Sequence, residues 1–272
     1  MNNPIFMPEL SDEEYHAGDY KAGGLYVGSH TLQDYGRDPL KLLIDRGRAI
    51  AAKESGEKQG PVPDALRVGA IAHRMVLEGV SDIGIVPNEF ITASGMLSTS
   101  KASVAWQLEQ DREFLTPAEA EMIGGMCQAI NKNDEAQGRL ENCQVEVASR
   151  MMVNGLPCQI KPDAYDPSNN VLIDFKTCRS IYDIFDKYRN QYIGQLAFYS
   201  MCLQAAGLQR PECYILACEK EAPYNNTLIH VTESALDSRW DRVAQTMDAF
   251  AESIDTGYFK PKWDQLTTME AF

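Results

Sequence analysis

The chain is short of positive charge: 25 Lys and Arg stand against 39 Asp and Glu, a formal net charge of −14 over 272 residues. That balance excludes a protein that coats nucleic acid with a uniformly basic surface. It leaves room for a nucleic-acid enzyme that confines basic side chains to one channel and keeps carboxylates for metal ions. No unbroken apolar run reaches the roughly 18 residues of a membrane span. The acidic, polar residues 1–20 lack the pattern of a secretory or transit peptide. There is no C-x-x-C pair, and the first of seven cysteines is Cys127. The chain therefore lacks the N-terminal cysteine that some nucleases use for an iron–sulfur cluster. Reduced, buried thiols in a cytoplasmic protein are the expectation. No P-loop is present, so any movement along nucleic acid proceeds without ATP hydrolysis by this polypeptide. Repeats and long low-complexity tracts are also missing.

What is present has the composition of an ordinary globular chain, 44% apolar and 24% charged. Residues 1–24, acidic and glycine-containing, are expected to be a flexible or loosely attached end. Residues 39–53 read as a helix, and 53–63 as a polar linker. Asp64 opens a second helix over 65–78, which Gly79 stops. The segment 81–101 reads as irregular. Thr116-Pro117-Ala118-Glu119 is a capping box with Pro at the first helical position, starting a helix to about Asn131. Then the pattern changes. Residues 143–153, 156–165 and 171–177 are strand-like, a long helix covers 180–206, and 212–218 and 226–231 read as two more strands. Thr232 caps a last helix to about Ile254, and 255–272 is a short tail. The expected fold is α/β (α+β): a mixed central sheet flanked by helices, with 25–135 a helical elaboration and 140–254 the core of one domain.

Asn154-Gly155 is the favoured pair for a two-residue type I′ hairpin in which Val153 faces Leu156. Continued without a bulge, that register sets Glu146 opposite Asp163. Opposed carboxylates repel on one sheet face. Solvent must screen them, or a cation must sit between them. After a ten-residue gap comes Asp174-Phe175-Lys176. On a strand Asp174 and Lys176 project together while Phe175 points into the core. An acid-x-Lys triplet arises by chance on the order of once or twice in such a chain, and Asp19-Tyr20-Lys21 is another. The strand context, Pro162-Asp163 and Glu146 distinguish the first. Three carboxylates and an ammonium make a hard-cation site, with Lys176 to orient or deprotonate an attacking water. His73 shares a helical face with Leu66, Ala70 and Leu77, as a core histidine or a ligand does. Gln191, Gln195 and Tyr199, with Tyr188, line one face of the long helix as neutral donors.

Lys161-Pro162-Asp163 followed by Asp174-Phe175-Lys176-Thr177 resembles the PD-(D/E)xK nuclease signature. More narrowly it resembles the RecE, or exonuclease VIII, group of phage and prophage recombination exonucleases. Gln195-Leu196-Ala197-Phe198-Tyr199 matches that group's Q-x-x-x-Y helix, Gly69 to His73 its G-x-x-x-H helix, and Ser29-His30-Thr31-Leu32 its opening segment. The resemblance spans about residues 25–265. It implies a restriction-endonuclease-like core and a Mg²⁺-dependent exonuclease, with Mn²⁺ able to substitute. His73, Asp163, Asp174 and the Phe175 carbonyl are then metal ligands, Lys176 the catalytic lysine, and Glu146 a ligand or its neighbour. Gln195 and Tyr199 fall on the family's Q-x-x-x-Y positions, and the helix face they share with Gln191 reads as donors that contact DNA or orient the site. It further implies 5′→3′ digestion of linear duplex DNA ends to leave 3′ overhangs, a ring-shaped homo-oligomer, a single-strand annealing protein as partner, and the cytoplasm of a bacterial host. Arg67, Arg74 and Lys101 are candidates to line the channel. A catalytically silent binding member and a restriction-type endonuclease remain the alternatives.

Overall fold

The computed structural model describes residues 6–56 and 60–262. Residues 1–5, 57–59 and 263–272, which belong to the expected N-terminal end, polar linker and tail, lie outside the described residues. Four helices lead the chain: α1 (Asp12–Gly18), α2 (Ser29–Arg37), α3 (Pro39–Ser55) and α4 (Asp64–His73). Asp38 caps α3 by accepting from the Lys41 N–H, with Pro39 supplying a pre-set φ at the first position. α4 continues through one π turn, Arg74–Glu78, to Gly79 at φ +68°, so the helix and its stop fall where the sequence places them.

The segment read as irregular contains a two-residue strand, β1 (Gly84–Ile85), too short to leave a periodic signal. After α5 (Lys101–Glu109) it pairs in parallel with β2 (Phe114–Leu115). α6 (Pro117–Ile130) opens on the Thr116/Glu119 capping box, and α7 (Asp134–Leu140) follows. Then come β3 (Gln144–Val145), β4 (Ser149–Val153), β5 (Leu156–Ile160), β6 (Ala164–Asp166) and β7 (Val171–Cys178). A helical stretch, α8 (Ile181–Asp183), the π turn Ile184–Tyr188 and α9 (Arg189–Ala205), crosses to β8 (Glu212–Glu219) and β9 (Asn226–Val231). α10 (Glu233–Thr256) closes the chain behind its Thr232 cap.

The central sheet runs β3-β6-β7-β8-β9, parallel only at β7–β8. This is the mixed sheet flanked by helices that the sequence implies. Side-chain alternation sends Leu172, Cys213, Ile215 and Ala217 into the core under α9 and α10, and Ile173, Phe175, Leu216 and Cys218 into the core under α4 and α6. Both faces are covered, which accounts for the nearly continuous apolar runs of β7 and β8. Phe250 is fully buried, with Tyr35 and Tyr20 edge-on at 4.9 and 5.0 Å. Phe250→Ala is expected to cost about 3–5 kcal/mol, read as a lower urea midpoint at unchanged slope. No helix among the described residues is long and apolar enough to cross a membrane.

Three local expectations need correction. The two long strands of the hairpin each break in two, because Pro162 carries no N–H for a ladder and Glu146 sits at φ +52°. Register nevertheless survives the break. Ser149 pairs with Ile160 above it, and Val145 with Ala164 below it. Next, residues 10–24 are anchored, not loose. The Ser11/Glu14 capping box forms α1, Lys161 binds Asp12 at 2.9 Å, and Arg150 and Gln159 donate to the carbonyls of Glu14 and Tyr15. Last, Leu66 is exposed. The buried face of α4 is Val68, Ile71 and Ala72, set by packing against α6.

Candidate metal and nuclease site

The break in the hairpin builds the site. With β6 starting only at Ala164, the edge of β7 beyond Ile173 lacks a ladder partner, and the Asp163 side chain takes that place: its Oδ2 accepts from the Phe175 N–H at 2.6 Å. The C=O of a strand residue points to the same edge as its N–H, so the Phe175 carbonyl faces Asp163 as well. Glu146 stands opposite Asp163, donating its backbone N–H to the Asp163 carbonyl at 3.2 Å. The carboxylates expected to oppose each other do so.

His73 comes in from the last turn of α4. Its Nδ1 lies 3.5 Å from Asp163 Oδ1 and 3.6 Å from Glu146 Oε1, and its ring packs on Phe175 at 5.0 Å between centroids. One ligand atom from each of His73, Glu146 and Asp163 falls within a 4.8 Å cluster. Asp174 lies outside this cluster. Together with Lys176 it is on the β7 face covered by α9, where Oδ1 accepts from Lys176 Nζ at 2.7 Å and from Gln195 Nε2 at 3.1 Å. Asp174 Oδ2 is buried with no hydrogen-bond partner. Tyr199 accepts from Gln195 at 3.3 Å and donates to the Lys161 carbonyl at 3.4 Å, tying α9 to the broken strand.

Of the expected residues, then, His73, Glu146, Asp163, Phe175, Asp174, Lys176, Gln195 and Tyr199 converge. Gln191 does not reach the carboxylates; it holds Arg37 at 3.3 Å. Tyr188, at the end of the π turn, is exposed and its ring lies against Tyr192 at 5.8 Å. The proposed channel residues do not line the site either. Arg67 is buried against Glu119 and Asp64, Arg74 is paired with Glu113, and Lys101 is the exposed first residue of α5. Two contributors escape sequence reasoning. Tyr192 puts its ring 5.4 Å from Lys176 Nζ, and Lys161 binds Glu146 at 2.8 Å. Lys161 was visible inside its triplet, but nothing local marks Tyr192. The cysteines are free thiols, five of them buried, as expected.

The electrostatics are those of a cation site. Burial pulls the His73 imidazole down, but the Asp163 and Glu146 carboxylates outweigh it and raise it to about 9. Burial lifts Asp163, and the Lys176 and His73 charges more than offset it, keeping the carboxyl below its usual range. Asp174 moves the other way, pushed up by burial despite Lys176. Burial lowers Lys176, yet Asp174 and Asp163 together raise it, so it is cationic at neutral pH. The imidazolium stands between carboxylates where a divalent ion would balance the same charge. Oxygen donors, one imidazole and the orphaned Asp174 Oδ2 fit Mg²⁺ or Mn²⁺.

Residues 40–263 match the model of a family described as a PDDEXK-like domain of unknown function. The chain belongs to that family. Among solved structures, this PDDEXK-like chain is similar to a provisionally assigned exonuclease from Eubacterium rectale, with a TM-score of 0.63 and 19% identity over 97% of this chain and 96% of that one. That likeness shows the fold. A phage-related exonuclease from Haemophilus somnus 129PT aligns over 86% of this chain and 97% of its own at 15% identity, with a TM-score of 0.35 that carries no argument. A search of curated proteins returns no match. Family, fold and signature place the chain in the PD-(D/E)xK nuclease superfamily.

Proposed function

We propose that this PDDEXK-like protein is a divalent-metal-dependent exonuclease acting on the ends of linear double-stranded DNA. The observation that carries the reading is the His73/Glu146/Asp163 cluster linked through Lys176 to Asp174, whose Oδ2 is buried and unpaired. His73, Asp163, Asp174 and the Phe175 carbonyl would hold Mg²⁺ or Mn²⁺, with Glu146 as a further ligand or its neighbour. When bound, the ion supplies Lewis-acid polarisation of the scissile phosphate and makes the attacking water more acidic.

The remaining work falls to the chain itself. Lys176 keeps its charge, and its ammonium has three donors. One binds Asp174; the others can orient a water and meet charge developing on the phosphate. Gln195 fixes the Asp174 carboxylate, and Tyr199 buttresses Gln195. Neutral donors suit this position because a further cation would compete with the metal. The resemblance to recombination exonucleases adds 5′→3′ polarity, 3′ overhangs, a ring-shaped homo-oligomer and a single-strand annealing partner to the proposal.

The assay is end-labelled linear duplex beside closed circular plasmid, each with Mg²⁺ or EDTA. The expected result is Mg²⁺-dependent loss of 5′ label from the linear DNA, with the circle intact. Nicking of the circle contradicts exonuclease action, and cleavage in EDTA contradicts the metal site.

A further inference from the structure

A second polar site lies one helical turn from the carboxylates. Gln195, which holds Asp174, is followed backwards along α9 by Gln191, about 6 Å along the axis. There α2, α9 and α10 enclose a groove of about 260 Å³. Its rim carries Arg37, Arg239 and Arg242, with Gln33, Asn190 and Gln191 between them. In a chain of net charge −14 such a grouping calls for a cause.

The manner in which the arginines are held supplies one. Several arginines elsewhere are neutralised by carboxylates, Arg74 by Glu113 and Arg210 by Asp237, while Arg46 and Arg150, each on its own, are held by carbonyls and an amide. In the groove three arginines stand together, and two of them are hydrogen-bonded to neutral amides. Arg239 donates to Asn190 Oδ1, and Arg37 donates to Gln191 Oε1 at 3.3 Å. Arg37 also makes a long ion pair with Asp34, at 3.8 Å, which Lys21 shares. Among the described residues neither Arg239 nor Arg242 forms an ion pair. Amide oxygens orient a guanidinium without cancelling its charge, so the groove keeps a net positive field.

Two buried donors here, Gln33 Nε2 and Arg239 Nε, have no hydrogen-bond partner; outside the groove the same holds for nitrogens of Arg67 and Arg210, so it is the amide Nε2 of Gln33 that sets the groove apart. Leaving a buried donor unmade is costly, so an acceptor is expected there. The floor is apolar, formed by Leu32, Phe198 and Val243. Forked cationic donors over an apolar floor match a sugar–phosphate chain: phosphates meet the guanidiniums, and the sugar faces lie on the hydrophobic surface.

We infer that the α2/α9/α10 groove binds the phosphodiester backbone of one nucleic-acid strand and leads it to or from the carboxylate site. Arg37, Arg239, Arg242 and Gln33 are the binding residues, and its volume suits one strand, not a duplex. This extends the nuclease reading, so its test omits metal and the two can fail separately.

The full-length protein in EDTA is titrated into a fluorescently labelled single-stranded oligonucleotide and read by anisotropy across a salt series. Arg37→Gln combined with Arg242→Gln alters two exposed side chains, and Arg48→Gln on α3 is the matched control. The double variant is expected to bind about 10- to 100-fold more weakly, with the salt slope reduced by about one to two. Its unfolding temperature and its response to Mn²⁺ should match those of the parent. Unchanged binding, or an equal loss in Arg48→Gln, overturns the assignment. So does competition by inorganic phosphate or a mononucleotide as effective as by the oligonucleotide, since that marks a small-anion pocket. If Asp174→Asn leaves DNA cleavage intact while the arginine variant still loses binding, the groove stands and the nuclease centre falls.

Discussion

Asp174→Asn is expected to lower metal-dependent cleavage of linear duplex DNA by about a thousandfold or more. The substitution keeps the shape of the side chain, and an amide oxygen can still accept from Lys176 and Gln195, which both meet Oδ1. What it removes is the anionic Oδ2, buried and without a protein partner. A structural carboxylate at 1% exposure has no reason to leave one oxygen empty, because an unpaired buried charge costs several kcal/mol. A ligand position explains it. The variant should fold normally in EDTA by circular dichroism, while the rise in unfolding temperature that Mn²⁺ gives the parent should largely vanish. At 100-fold excess over its dissociation constant a ligand adds about 2.7 kcal/mol, so that rise is several degrees for a chain of this size. Cleavage within tenfold of the parent would place the chemistry elsewhere.

Metal affinity is expected to climb about tenfold per pH unit between pH 7 and 9 and then level off. In the metal-free protein burial lowers His73, but Asp163 and Glu146 raise it to about 9. Below that value the imidazole carries a proton, and a cation taking its nitrogen must displace it. The sign follows: acid weakens binding, and alkali above 9 adds nothing more through this group. Asp174, raised by burial, steepens the loss in acid. Calorimetric titration of Mn²⁺ at pH 7 in two buffers of different ionisation enthalpy should show close to one proton released per ion. Affinity independent of pH over this range contradicts ligation by His73.

Much of this site is legible in the sequence because it is local. The Asn154-Gly155 turn, with φ of +49° and +84°, fixes the hairpin register, and register brings Glu146 to Asp163 across the break. Strand period sets Asp174 and Lys176 on the face opposite Phe175. The capping signals at Thr116 and Thr232 and the stop at Gly79 each mark their helices. What escapes depends on which elements pack together. The exposure of Leu66 follows from how α4 meets α6, and a helical wheel cannot supply that. The anchoring of residues 10–24 depends on Arg150, Gln159 and Lys161, more than a hundred residues away. Arg67 and Arg74 look available as isolated letters, yet distant Glu119 and Glu113 claim them. Arg239 and Arg242 attract no notice in the sequence because their meaning comes from α2 and α9 beside them.

The central claim is that one divalent ion sits among His73, Asp163 and Asp174. An anomalous difference map from crystals soaked in Mn²⁺ addresses it directly. The account predicts a peak in contact with the His73 imidazole, one oxygen each of Asp163 and Asp174, and the Phe175 carbonyl, and no such peak in Asp174→Asn crystals. A fully occupied ion elsewhere on the protein, with Lys176 still bridging Asp163 and Asp174 and His73 still between Asp163 and Glu146, would contradict it.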